Sequence, residues 1–269
     1  SLEKGRTFYT SNSGLIELRQ EICKWYQRKY NVLYDYKNEA LLTVGGSEGI
    51  DVALRAMLDP GDEVIIPEPC YVSYVPCVQL IGAVPVTIEL KNENQFRLTP
   101  EELLAAITDK TKILILAFPS NPTGAVMTKE DLEPIAKICQ EKDIYVISDE
   151  IYSELTYGGE KHCSISSLPG MKERTIVING FSKAYAMTGW RLGYALAPEV
   201  IAHQMTKIHQ FAIMCAPTTS QYAAIEAIKN GDADIEKMCK SYDQRRRFLL
   251  KKFEEIGLPC FEPHGAFYV

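Results

Sequence analysis

The sequence predicts an α/β domain built on a mainly parallel, mixed sheet. Short apolar runs alternate with helical stretches in the strand–helix–strand order that produces such sheets. One of them, Lys112 to Phe118, reads as an uninterrupted apolar run, the pattern of a parallel strand covered on both faces. The residues best suited to chemistry fall just after these runs, at the strand ends where open α/β sheets bind ligands.

The elements follow in order. Residues 14 to 30 carry Leu15, Leu18, Ile22 and Trp25 at helical spacing, with Ser13 as the expected N-cap. A short run over 40 to 44 empties into Gly45-Gly46-Ser47-Glu48-Gly49, and a helix is expected from Ile50 to Leu58. Strand, glycine-rich turn and helix together can aim free backbone N–H groups at an anion, although most such turns are only tight connections. After the turn Asp59-Pro60-Gly61-Asp62 come a strand at Glu63 to Pro67 and a stiff loop, Pro67-Glu68-Pro69-Cys70-Tyr71. A helical stretch around Tyr74 to Leu80 leads to a strand at Ala83 to Glu89. Thr99 and Pro100 mark a helix start as cap and first residue. The run at 112 to 118 ends in the rigid loop Pro119-Ser120-Asn121-Pro122-Thr123-Gly124. A helix over 128 to 142 precedes the strand Ile144 to Ser148, whose end carries Asp149, Glu150, Ile151 and Tyr152. Two more strands, Thr175 to Asn179 and Leu192 to Ala197, enclose Ser182, Lys183 and Arg191. Beyond residue 200 the pattern is helical, with Pro217 opening one helix and a charged helix from Asp232 to Glu255.

Composition narrows the function classes. The chain has 269 residues, 46% of them hydrophobic and 24% charged, with a net charge of −6. That length allows a sizeable core, in one large domain or a domain and part of another. The acidic balance argues against a nucleic-acid or anionic-membrane partner. No apolar stretch approaches a membrane span and no signal-peptide pattern opens the chain, so a cytoplasmic location is expected. The eight cysteines show no CxxC pairs and the four histidines no ligand spacing; free thiols and no metal site are expected. Both ends look cut: Ser1 begins in mid-stream, and Gly265 to Val269 reads as the opening of a strand.

A lysine at the end of a buried strand is an unusual place for a strongly hydrated ammonium. It makes sense if Lys183 forms a Schiff base with a carbonyl cofactor. Pyridoxal phosphate would need further supports, and each has a candidate. Asp149 can face the pyridine nitrogen. Tyr152 and Asn121 can reach the ring's phenolic oxygen, and Tyr71 can pack on the ring. Arg191, Ser182 and the Gly46-Ser47-Glu48 helix start can hold the phosphate. Taken singly, each has a plain alternative. Asp149 could be a turn aspartate, Tyr152 core, Asn121 a turn residue before proline, and Arg191 a surface arginine.

The chain resembles the class I/II aminotransferases, pyridoxal-phosphate enzymes of fold type I. The resemblance rests on Tyr9-Thr10…Gly14…Leu18-Arg19, Gly45 to Gly49, Pro119 to Gly124, Ser148 to Tyr152, and Ser182-Lys183…Gly189-Trp190-Arg191-Leu192-Gly193, in the family's order across nearly the whole chain. It implies a three-layer cofactor-binding large domain at 41–245, after an N-terminal segment and helix at 1–40. Residues 246–269 would begin a smaller α+β domain. It implies that Lys183 is the Schiff-base lysine and proton carrier, that Asp149 partners the ring nitrogen, and that Asn121 and Tyr152 partner the phenolic oxygen. Asn121 would also touch substrate. Tyr71 stacks on the ring, and Gly46, Ser47, Glu48, Ser182 and Arg191 hold the phosphate. Tyr9 would reach the neighbouring subunit's phosphate in a homodimer with shared active sites. The substrates would be an L-amino acid and a 2-oxo acid.

Two departures stand out. Many relatives carry a phosphate-binding serine three residues before the lysine, where this chain has Gly180. The family's arginine for the substrate α-carboxylate is expected beyond Val269, and its N-terminal covering strip is expected to be absent. The wording of Ser148 to Tyr157 and Met187 to Arg191 resembles the bacterial aspartate/aromatic/diaminopimelate-pathway branch. A carbon–sulfur β-lyase uses the same site, and a non-catalytic cofactor-binding module is a further alternative. A nicotinamide dehydrogenase is disfavoured, because GGSEG does not fit GxGxxG.

Overall fold

The structure, a computed structural model, describes residues 2–269. Seven strands form one sheet: β1 (Ala40–Thr43), β2 (Glu63–Glu68), β3 (Val84–Glu89), β4 (Thr111–Ala117), β5 (Tyr145–Asp149), β6 (Thr175–Gly180) and β7 (Gly193–Leu196). Their order is β1-β7-β6-β5-β4-β2-β3. Only β7 runs against its neighbours, pairing antiparallel with both β1 and β6. The mixed, mainly parallel sheet is therefore as expected.

Helices cover both faces, giving three layers. Along β4 the side chains alternate, as the two-residue period of a strand requires. Ile113 and Ile115 join the core beneath α2 (Gly45–Met57), α3 (Tyr74–Leu80) and α6 (Glu199–Ala212). Leu114 and Leu116 join the opposite core, beneath α4 (Pro100–Ala106) and α5 (Lys129–Glu141). A third cluster on that second side packs α1 (Ile16–Tyr30) and α7 (Thr218–Asn230) against Leu42, Val177, Tyr194 and Leu196. The charged α8 (Asp232–Glu255) completes the chain's helices, and the boundary expected after residue 245 falls inside it.

Several expectations need correction. Ser13 does not cap α1; its carbonyl accepts from Leu42 N–H, and the helix starts after Leu15 without a side-chain cap. The glycine-rich segment is not a turn ahead of a helix at Ile50. It is the first turn of α2 itself, which begins at Gly45. Gly265 to Val269 does not open a strand, and among the described residues only Gly265 bridges, to Thr156. Thr99 does cap α4, in a reciprocal box with Glu102.

Candidate active site

The carboxyl ends of the parallel strands open onto one cleft of about 270 Å³. It is lined by Gly46, Ser47, Tyr71, Asn121, Asp149, Tyr152, Ser182, Lys183 and Arg191 from the expected set. Each comes from the end of a strand or the segment that follows it, which is why residues scattered over 146 positions of sequence meet.

Asp149 ends β5 and is buried. Its Oδ2 accepts from Tyr74 Oη–H at 2.8 Å and its Oδ1 from Ile151 N–H at 3.2 Å. Burial pushes its carboxyl above the usual range, and these two hydrogen bonds only partly offset it. No cationic side chain pairs with it among the described residues. The next residue, Glu150, is fully buried yet well satisfied, accepting from Ser148 Oγ, Ser164 Oγ and Tyr26 Oη.

Lys183 lines the cleft and pairs with no carboxylate among the described residues. Its Nζ sits 5.6 Å from the Tyr152 ring centroid and 5.3 Å from that of Phe267. Tyr152 is buried, and its hydroxyl shares a 2.6 Å hydrogen bond with the Tyr268 hydroxyl. Burial, followed by the Tyr268 contact, drives the Tyr152 phenol upward in pKa, so it stays protonated. Tyr71 is half-buried, set edge-on to Tyr74 at 5.6 Å between centroids. Hydrogen bonding to the Ser73 and Ser47 side chains draws its phenol below the usual value.

At the other end of the cleft, the first turn of α2 meets Arg191. The N–H groups of such a turn have no intrahelical carbonyl. Arg191 Nη1 donates to Thr188 O at 3.0 Å, leaving most of its guanidinium free. A Cβ on Gly45, whose φ is +77°, would lie 2.7 Å from Arg191 Nη2, so glycine is needed for this approach. Gly193 is needed too, because its Cβ would meet Gly45 C and Gly46 N at 2.6 Å. Gly180, which stands where many relatives have serine, would place a Cβ 2.8 Å from Gly193 Cα. The ladder between β6 and β7 leaves no room for that serine here.

Glu48 is not among the residues that line the cleft, and Tyr9, expected to serve a neighbouring subunit, is exposed. Glu48 turns back: one carboxylate oxygen accepts from Val44 N–H, and the other meets His209 Nδ1 at 2.6 Å. Its carboxylate therefore braces the start of α2 rather than facing the phosphate end, whereas the phosphate contact expected of this segment is through the backbone amides of the helix start. Tyr9 lies outside the cleft, 77% exposed, on a segment held to α7 through Phe8 O and Thr10 Oγ1. Conversely, the sequence reading missed Tyr74, Thr188 and Tyr268, which line the cleft. The one available signal was Tyr74's position three residues after Tyr71, one helical turn along.

The family model "Aminotransferase class I and II" matches residues 1–269. The YugH protein of Bacillus subtilis (strain 168) is 51% identical over 268 residues, covering 100% of this chain and 69% of that protein. An aspartate aminotransferase of Pyrococcus abyssi is 45% identical over 271 residues, covering 100% of this chain and 70% of that one. Among solved structures, an aromatic aminotransferase from Pyrococcus horikoshii superposes with a TM-score of 0.96 at 45% identity, over 98% of this chain and 72% of that one.

Proposed function

This chain belongs to the class I and II aminotransferase family, and from that premise we propose how its own residues perform the transfer. Members of the family use pyridoxal phosphate to move an amino group between an amino acid and a 2-oxo acid, and this chain is an aminotransferase of that kind. The relatives named for their activity carry aminotransferase names, which favours transfer over the carbon–sulfur lyase alternative.

The cleft suits that cofactor. A buried carboxylate with a raised pKa and no cationic partner lacks the positive charge that a protonated ring nitrogen brings. A largely free guanidinium beside the open amides of a helix start lacks an anion, which the phosphate brings. When bound, pyridoxal phosphate supplies an aldehyde that takes up amino groups and a ring that spreads negative charge.

The roles then follow from position. Lys183 Nζ is the amine that would hold the cofactor's aldehyde, and once free it would serve as the base that carries the substrate α-proton. Asp149, braced by Tyr74, would offer its carboxylate to the ring nitrogen. Tyr152 and Asn121 would donate to the phenolic oxygen, with Tyr268 holding the Tyr152 hydroxyl. Asn121 would also touch substrate. Tyr71 would cover the ring. Arg191, Ser182, Ser47 and the Gly46 amide would hold the phosphate.

We further infer a cytoplasmic homodimer in which Tyr9 enters the partner's cleft. Exposed apolar side chains support this: Tyr9, Trp190, Phe211 and Met214 lie on segments tied together by Asn12 to Met214 O, Thr218 to Phe8 O and Ser220 to Trp190 O. Sedimentation at twice the chain mass is expected, and a lone monomer would refute it. The donors are acidic or aromatic L-amino acids, by likeness to relatives named for aspartate and aromatic substrates.

One observation carries the catalytic reading: Lys183, Asp149 and Arg191 line one cleft at the strand ends. The test is a half-reaction panel, following the visible absorbance of the bound cofactor as each amino acid is added. Lys183→Ala is expected to abolish turnover while still binding cofactor. Turnover at the wild-type rate in that variant would sink the assignment.

A further inference from the structure

Behind the phosphate end of the cleft lies a pair of side chains that the transfer chemistry does not use. His209, on α6, has a fully buried side chain whose Nδ1 lies 2.6 Å from Glu48 Oε1. The Glu48 carboxylate is itself only 14% exposed. Its second oxygen accepts from Val44 N–H, the group just ahead of the first turn of α2. His209 Nε2 is buried without a partner among the described residues. An imidazole that has one buried nitrogen bare keeps its single proton on the other, so Nδ1–H donates to the carboxylate.

A carboxylate this close to a helix start has a second option. The positive end of the helix attracts anions, and the amides of Gly46 and Ser47 are open donors. Glu48, the next residue in the chain, is a rival for the same donors that the phosphate needs. The hydrogen bond from α6 settles the competition, because it ties the acid on the side of α2 away from the cleft.

We propose that His209 is a positioning residue for the cofactor phosphate. It locks Glu48 onto Val44 N–H and thereby keeps the Gly46 and Ser47 amides free. The proposal rests on reading the α2 start and Arg191 as the phosphate end, and its test separates the two.

Cofactor-stripped protein is titrated with pyridoxal 5′-phosphate and, separately, with pyridoxal, which lacks the phosphate. Tryptophan fluorescence reports binding. The phosphate reading itself is tested first with Arg191→Gln, which should narrow the preference for the phosphorylated form. His209→Leu should then weaken pyridoxal phosphate by about tenfold, the loss expected for one charge-assisted hydrogen bond, with pyridoxal affinity nearly unchanged. His209→Asn places an amide N–H where Nδ1 stood and should restore most of the affinity. His209→Gln places it where Nε2 stood and should not. Glu48→Gln in the His209→Leu background removes the rival charge and should recover affinity. If His209→Leu does not fold, the asparagine and glutamine variants still give the contrast.

Equal affinities for pyridoxal phosphate in wild type, His209→Leu and His209→Gln, with Arg191→Gln behaving as expected, would overturn the role of His209 alone. A parallel loss for pyridoxal would also overturn it, showing general destabilisation instead. An Arg191→Gln variant that keeps the full preference for the phosphorylated form would bring down the phosphate reading and the inference with it.

Discussion

Replacing Gly193 by alanine is the most demanding trial of the phosphate end, because the obstacle is backbone on every side. The added Cβ would lie 2.6 Å from Gly45 C, 2.6 Å from Gly46 N and 3.0 Å from Asn179 O. No rotamer change can relieve contacts to main chain. Moving from 2.6 Å to ordinary contact near 3.4 Å displaces the start of α2 from β7 by about 0.8 Å. Overpacking of this kind costs about 1–3 kcal/mol. For a chain of comparable size that lowers the melting temperature by roughly 2–12 °C. The larger effect falls on the cofactor. A hydrogen bond of about 2.9 Å stretched by most of an ångström is no longer one, so pyridoxal phosphate affinity should drop by at least about tenfold. Fluorescence titration and thermal unfolding followed by circular dichroism measure both. Gly46→Ala is the control: its Cβ meets only Ile178 Cγ2, at 3.4 Å. That substitution should leave stability unchanged or raise it, since alanine favours the helix. Wild-type affinity and stability in Gly193→Ala would refute the close-approach reasoning. So would a Gly46→Ala variant that unfolds as readily.

Asp149→Asn should separate stability from function. Burial raises the carboxyl's pKa in the folded chain, so the native state holds that proton more tightly than the unfolded one. Asp149's contribution to the stability of the cofactor-free protein is then fully present below the ordinary carboxylate range and is lost as pH rises through the folded value. The asparagine variant should escape this fall, melting higher than wild type at pH 8 and converging with it at pH 4, while binding cofactor poorly. A lower melting point at pH 8 would contradict the account. Tyr74→Phe removes the 2.8 Å hydrogen bond that favours the ionised aspartate. The acidic limb of its kcat/KM profile should move to higher pH, with a loss of about 1.5–3 kcal/mol in cofactor binding; an unmoved limb would rule this out.

The sequence was most readable where chemistry and backbone agree. Strand ends carry the ligands of an open α/β sheet, so Asn121, Asp149 and Lys183 could be placed near one another before any coordinates. The Thr99–Glu102 box was legible because capping is local. What failed was direction. Glu48 sits in the correct turn, yet its side chain points back to Val44 and α6, and nothing local reveals the distant His209. Ser13 looked like a cap because its identity suits one, but β1 claims its carbonyl from 29 positions away. Tyr74 and Tyr268 went unnoticed for the same reason. Their partners, Asp149 and Tyr152, are 75 and 116 residues distant in sequence, and a hydroxyl carries no mark of whom it will meet.

The single antiparallel strand has one more consequence. Because β7 returns along β6, with Gly180 opposite Gly193 and Phe181 N–H bonded to Leu192 O, residues 182 to 191 leave and re-enter the sheet at one rung. The lysine proposed to anchor the ring and the arginine proposed to clamp its phosphate therefore hang from a common hinge pin. Any tilt of that pin carries both together, so the span between them is preserved as a gauge length. A domain moving elsewhere in the molecule could open or shut the cleft's mouth without stretching the grip on what it holds.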